Sequence, residues 1–167
     1  LQDGSIRPTI SQFDTSYNLP ATLGNHTALL DGIAIFLTSS GVMKFETQIN
    51  KFVPFKAVDS SFSSEWFSKI IQDKSGNIWT LAGDDKKLTF YQKNTTNGIT
   101  SYYKKQTPFL PIASTTLWSV YADSTIMWFG GPDGVVRYDQ TVKKNYSFQY
   151  PTLIRRVIVN ADSILFA

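Results

Sequence analysis

Three segments of this chain follow one plan. Ile70-Ile71-Gln72-Asp73-Lys74-Ser75-Gly76-Asn77-Ile78-Trp79 is the clearest. The stretch from Val120 to Gly130 repeats it, and the stretch from Leu29 to Phe36 repeats it more loosely. Each runs from an apolar strand through an Asp-containing turn into a second apolar strand with an aromatic near its centre. A further aromatic follows in the next segment, at Tyr91, Tyr138 and Phe45. Short strands recurring with a period of about 40–50 residues are the signature of β-propeller blades. The expected fold is therefore all-β, with four-stranded antiparallel blades.

The most regular repeat spans residues 116–150. Leu117 to Ala122 alternates as a first strand, Asp123-Ser124-Thr125 turns, and Ile126 to Gly130 is almost wholly apolar, as suits a strand buried on both faces. Gly131, Pro132, Asp133 and Gly134 form a strong turn into Val135–Asp139, and Tyr146–Tyr150 is read as an outer fourth strand. The repeat at residues 66–104 takes Phe67–Gln72, Ile78–Ala82, Leu88–Gln92 and Ile99–Tyr103 as its strands. The repeat at residues 25–56 takes Thr27–Leu30, Ile33–Thr38, Val42–Glu46 and Lys51–Phe55. The second-strand aromatics Phe36, Trp79, Trp128 and Phe166 align as equivalents, and Trp79 and Trp128 are read as blade-packing core.

Both ends read as partial blades. Residues 153–167 supply strands one and two, and residues 1–20, with Ile6–Ile10 and Gln12-Phe13, supply strands three and four. Two arrangements follow: closure of the two ends into a small four-bladed ring, or a fragment of a larger propeller. The fragment is favoured, because the chain stops inside an apolar strand whose open edge would invite aggregation. No helix is strongly signalled. Ser61 to Ile71 has a cap-like start but fits the register of a first strand.

Composition narrows the chemistry. Among 167 residues there is no cysteine, which removes a thiol nucleophile, a thiolate metal site and any disulfide. Net charge is only +3, and the basic residues occur as isolated pairs (Lys86-Lys87, Lys104-Lys105, Lys143-Lys144, Arg155-Arg156) in turn-rich stretches. They read as solvated loops rather than a nucleic-acid surface. No apolar run is long enough to span a bilayer.

The run Ile71-Gln72-Asp73-Lys74-Ser75-Gly76-Asn77-Ile78-Trp79, followed by Lys87-Leu88-Thr89-Phe90-Tyr91, resembles the two-component regulator propeller repeat. So does Asp123…Ile126-Met127-Trp128-Phe129-Gly130-Gly131 with Asp133-Gly134-Val135-Val136-Arg137-Tyr138-Asp139. The first departs at Thr80 to Gly83, where the family has Gly-Thr, and the second lacks the turn glycine. The resemblance implies the periplasmic sensor region of a hybrid two-component histidine kinase of Bacteroidetes (Bacteroides) type. It implies signal transduction through carbohydrate sensing, with an oligosaccharide or other small ligand as partner. A homodimer through the full ectodomain is compatible with it. Kinase and membrane segments would lie outside this chain, so the segment itself is expected not to be an enzyme.

The residues offer little catalytic chemistry. His26 is the only histidine. It is read as a polar loop residue at a strand junction that can still contact a ligand, and no cofactor or metal is expected. Asp31, Asp73 and Asp123 recur with the turns and read as structural. Asp84-Asp85 reads as a solvated turn. Ligands of propellers gather where the loops leading into first strands meet, which singles out Glu65, Trp66, Trp118, Arg155 and Arg156 beside His26. An aromatic platform with a charged donor suits a sugar ring or a uronate. The alternatives are a scaffold propeller that binds protein and, disfavoured by the lone histidine, a propeller lyase or glycosidase.

Overall fold

A computed structural model describes residues 10–21, 24–83, 87–145, 157–159 and 163–166. The architecture is all-β. The first sheet is an antiparallel meander of β1 (His26–Leu30), β2 (Ile33–Thr38), β3 (Gly41–Glu46) and β4 (Lys51–Pro54). The second repeats it with β5 (Phe67–Gln72), β6 (Ile78–Ala82), β7 (Lys87–Thr96) and β8 (Ile99–Lys105). In the third, β9 (Ser119–Asp123), β10 (Ile126–Gly131) and β11 (Gly134–Asp139) pair in the same order. A final antiparallel pair joins β12 (Val157–Val159) to β13 (Ser163–Phe166).

Local chemistry sets these hairpins. Asp31-Gly32 and Asn97-Gly98 both carry positive φ at each position, the requirement of the tight turns that match strand twist. The β5–β6 turn is longer. There Asp73 Oδ1 accepts the backbone N–H of Ser75 at 2.9 Å and of Asn77 at 3.0 Å, so one carboxylate organises the whole loop.

The sheets stack through two apolar layers. Leu30, Ile35, Leu37 and Val42 of the first sheet meet Phe67, Ile70, Ile78 and Tyr91 of the second, with Phe55 and Phe62 filling the gap. On the other face of the second sheet, Trp79 and Leu81 meet Leu117, Val120, Met127 and Phe129. Residues of β6 therefore alternate between the two layers, and all five are buried, as a strand covered on both faces requires. The first strands lie side by side, β1 against β5 and β5 against β9.

Several expectations need correction. Phe36 is not the equivalent of Trp79. It packs at 4.9 Å on Phe52, while its neighbours Ile35 and Leu37 enter the layer that faces the second sheet. A one-residue offset exchanges the faces of a strand, so Ile35 holds the position of Trp79. Trp128 does share that face, but it is 38% exposed rather than core. Gln12-Phe13 is not a strand. Phe13 instead lays its ring on Tyr17, Phe45 and Phe52, beside a short 3₁₀ turn, Thr15–Tyr17. Ser61 to Ile71 is not continuous strand either, because a 3₁₀ turn, Ser60–Ser63, precedes β5. A third such turn, Thr107–Ile112, starts beside Pro108 and drops Phe109 into the layer around Trp79. Proline at the start of a helical turn loses no hydrogen bond, which explains its tolerance there. Of the strand read at Ile6–Ile10, only Ile10 is described, and it is exposed and outside any strand. The strand read at Tyr146–Tyr150 lies outside the described residues.

Candidate functional site

The start of β1 and the segment leading into β9 converge on one small cleft. It has a volume of about 420 Å³ and is lined by Asn25, His26, Thr27, Leu37, Ser68, Lys69 and Trp118. His26 opens β1 opposite Leu37. Ser68 and Lys69 come from β5, where the pairing with β6 shifts register between Phe67 and Lys69. Such an irregularity re-aims side chains and is common beside sites. Here it sets two polar residues at the mouth of a strand whose Phe67 and Ile70 are core.

Trp118 gives the cleft its apolar wall. Its backbone is fixed just before β9 by donation of its N–H to the Gly130 carbonyl at 2.8 Å. Its side chain stays outside the core at 58% exposure, although the adjacent Leu117 is buried. The anchoring depends on Gly131, since a Cβ there would run into the Thr116 carbonyl oxygen.

The structure thus unites His26 and Trp118. Glu65 and Trp66 are half-buried in front of β5 and do not line the cleft. The Trp66 carbonyl instead accepts the Gly83 N–H at 3.0 Å, closing the base of the second sheet. Arg155 and Arg156 lie outside the described residues. Sequence reasoning missed Ser68 and Lys69. The available signal was a polar pair interrupting an otherwise apolar strand.

Ser68 Oγ donates to the Leu81 carbonyl at 3.3 Å, so its proton is engaged by backbone instead of an imidazole base. No carboxylate is among the described lining side chains, and a triad needs one to orient its histidine. What converges is an exposed indole, an imidazole, an ammonium, a carboxamide and two hydroxyls, a set suited to a ring with hydroxyl substituents.

A second polar arrangement ties the β1–β2 turn of the first sheet to β5, β7 and β8 of the second. Asp31 accepts from Gln72 Nε2 at 2.9 Å, Lys93 Nζ at 3.2 Å and Tyr102 OH at 3.1 Å, while its own N–H donates to Gln72 Oε1 at 2.8 Å. The Gln72 amide, then Lys93 and Tyr102, hold the Asp31 carboxyl below the usual carboxylate range. Burial, reinforced by the Asp31 charge, pushes the Tyr102 hydroxyl up to about 12.

No protein-family model matches the sequence, and no curated protein or solved structure is significantly similar to it.

Proposed function

We propose that this chain is part of a β-propeller whose central face binds an oligosaccharide, and that it serves as the periplasmic sensor segment of a two-component regulator. Three features support the propeller: the repeated meander, the adjacency of β1, β5 and β9, and the burial of each face of the second sheet by its neighbour. The signalling role rests on the likeness of the Asp73–Trp79 and Asp123–Asp139 segments to the two-component regulator repeat.

The observation that carries the ligand reading is the exposed indole of Trp118 beside Asn25, His26, Ser68 and Lys69. An indole face matches the C–H face of a sugar, and the surrounding donors match its hydroxyls. Calorimetric titration with a panel of neutral oligosaccharides tests it. One sugar class should bind, and Trp118→Ala should weaken that binding about tenfold or more. A panel with no binder, or a binder indifferent to Trp118→Ala, overturns the reading.

A further inference from the structure

Lys105 from one basic pair and both lysines of the Lys143-Lys144 pair line a single cleft. Residues of the second and third sheets line a cleft of about 920 Å³, at the upper end of small-molecule sites. Lys105 of β8 reaches it from one side, and Lys143 and Lys144, beyond β11, reach it from the other. Register explains the first. Lys105 stands opposite Phe90 across the β7–β8 ladder, and Phe90 faces the third sheet through Trp79, so Lys105 shares that face. Lys93 also lines the cleft, but its ammonium is committed to Asp31 at 3.2 Å.

None of the described lining side chains is acidic. A cleft lined by one sign of charge focuses its field on an incoming counter-charge. Phe90 and Tyr138 bring half-buried rings to the cleft, and Gln92 and Gln140 bring carboxamides, while the Asn77 carboxamide is engaged by Asp73 and by the Lys93 N–H. Aromatic faces with amide donors fit a sugar ring. The cations decide the charged group. Lysine binds phosphate-like anions as a point charge with freely oriented donors, whereas the arginine fork suits bidentate contact with carboxylate and phosphate alike. The described walls carry lysine and no arginine.

We propose that this cleft binds a sugar bearing a sulfate or phosphate ester, at a site separate from the one around Trp118. Calorimetry on the 167-residue chain at low salt, with a sulfated disaccharide, a sugar bisphosphate, a digalacturonate and a single-stranded oligonucleotide, tests it. At least one ester probe should bind saturably and weaken as salt rises, and the tighter of the two identifies the ester. The double substitution Lys105→Gln with Lys143→Gln should weaken that binding about tenfold or more. Trp118→Ala should leave it unchanged, which separates this site from the neutral-sugar reading. Both lysines are exposed, so the double variant should keep the wild-type melting profile. The proposal fails if neither ester probe binds, if binding ignores the double substitution, or if the digalacturonate or the oligonucleotide binds more tightly.

Discussion

The Trp79 indole N–H donates to Asp73 Oδ2 at 3.0 Å, and the indole itself is fully buried. Asn77 Nδ2 donates to the same oxygen at 3.0 Å, while Oδ1 holds the turn backbone. One carboxylate therefore joins the β5–β6 turn to the centre of the layer between the second and third sheets. Replacing Asp73 with Ala orphans a buried indole donor and several turn donors together. An orphaned buried donor costs about 1–3 kcal/mol. Asp73→Ala should thus lower stability by about 3 kcal/mol or more in urea unfolding, and Trp79→Phe, which keeps most of the ring volume, should lose less. Equal losses in the two variants would count against the hydrogen bond as the main term.

The Asp31–Tyr102 pair predicts how stability changes with pH. The Asp31 pKa is depressed in the fold. Its contribution is complete above the unfolded value of 3.8 and is lost as pH falls through the folded one. Tyr102 behaves oppositely. Its pKa rises from 10.0 to about 12, so folding favours the protonated phenol. That contribution is present below the unfolded value and is lost as pH climbs through the folded one. The urea midpoint should fall between pH 10.0 and about 12, and by less in Tyr102→Phe. Asp31→Asn should flatten the acid limb and bring tyrosinate absorbance in at lower pH, since it removes a charge that raises Tyr102. Parallel alkaline limbs for wild type and Tyr102→Phe would refute the assignment.

Strand positions were legible wherever alternation and turn chemistry agreed. Ile33–Thr38, Phe67–Gln72 and Ile78–Ala82 match the observed β2, β5 and β6. Facing was less legible. Phe36 and Trp79 are both second-strand aromatics, but the first hairpin turns in two residues and the second in five, which displaces the apolar register by one. The candidate cleft was half legible. Trp118 breaks the repeat and so stood out. Ser68 and Lys69 gain their place from a pairing irregularity that spacing alone does not encode.

Gly131 links stability to the candidate site. Its backbone lies so close to the Thr116 carbonyl that an added methyl must displace the segment carrying Leu117 and Trp118. Forced overpacking of this kind costs about 1–3 kcal/mol. Gly131→Ala should therefore destabilise the chain and also weaken saccharide binding at the Trp118 cleft. Gly98, at φ +77 with open space around it, is the contrast. Gly98→Ala should cost about 1 kcal/mol from its left-handed backbone and leave binding intact. Unfolding and calorimetry on the two variants separate packing strain from backbone strain.

Trp79 and Trp128 occupy matching places in successive sheets, each opposite a first-strand residue (Ile71 and Tyr121) and on the side away from the preceding sheet. Their surroundings differ. Trp79 lies within 5.8 Å of the rings of Phe90, Phe109, Phe129 and Tyr138, whereas Trp128 is 38% exposed beside the exposed Tyr121 and Val135. Deleting a buried tryptophan side chain costs about 3–5 kcal/mol, because lost transfer energy and a residual cavity add. A half-open ring leaves no closed cavity and forfeits less area, about 1 kcal/mol. Trp79→Ala should therefore lose several times more stability than Trp128→Ala in urea. A loss at Trp128 as large as that at Trp79 would mean that another layer closes over this face in solution, and that the stack of sheets continues past the third.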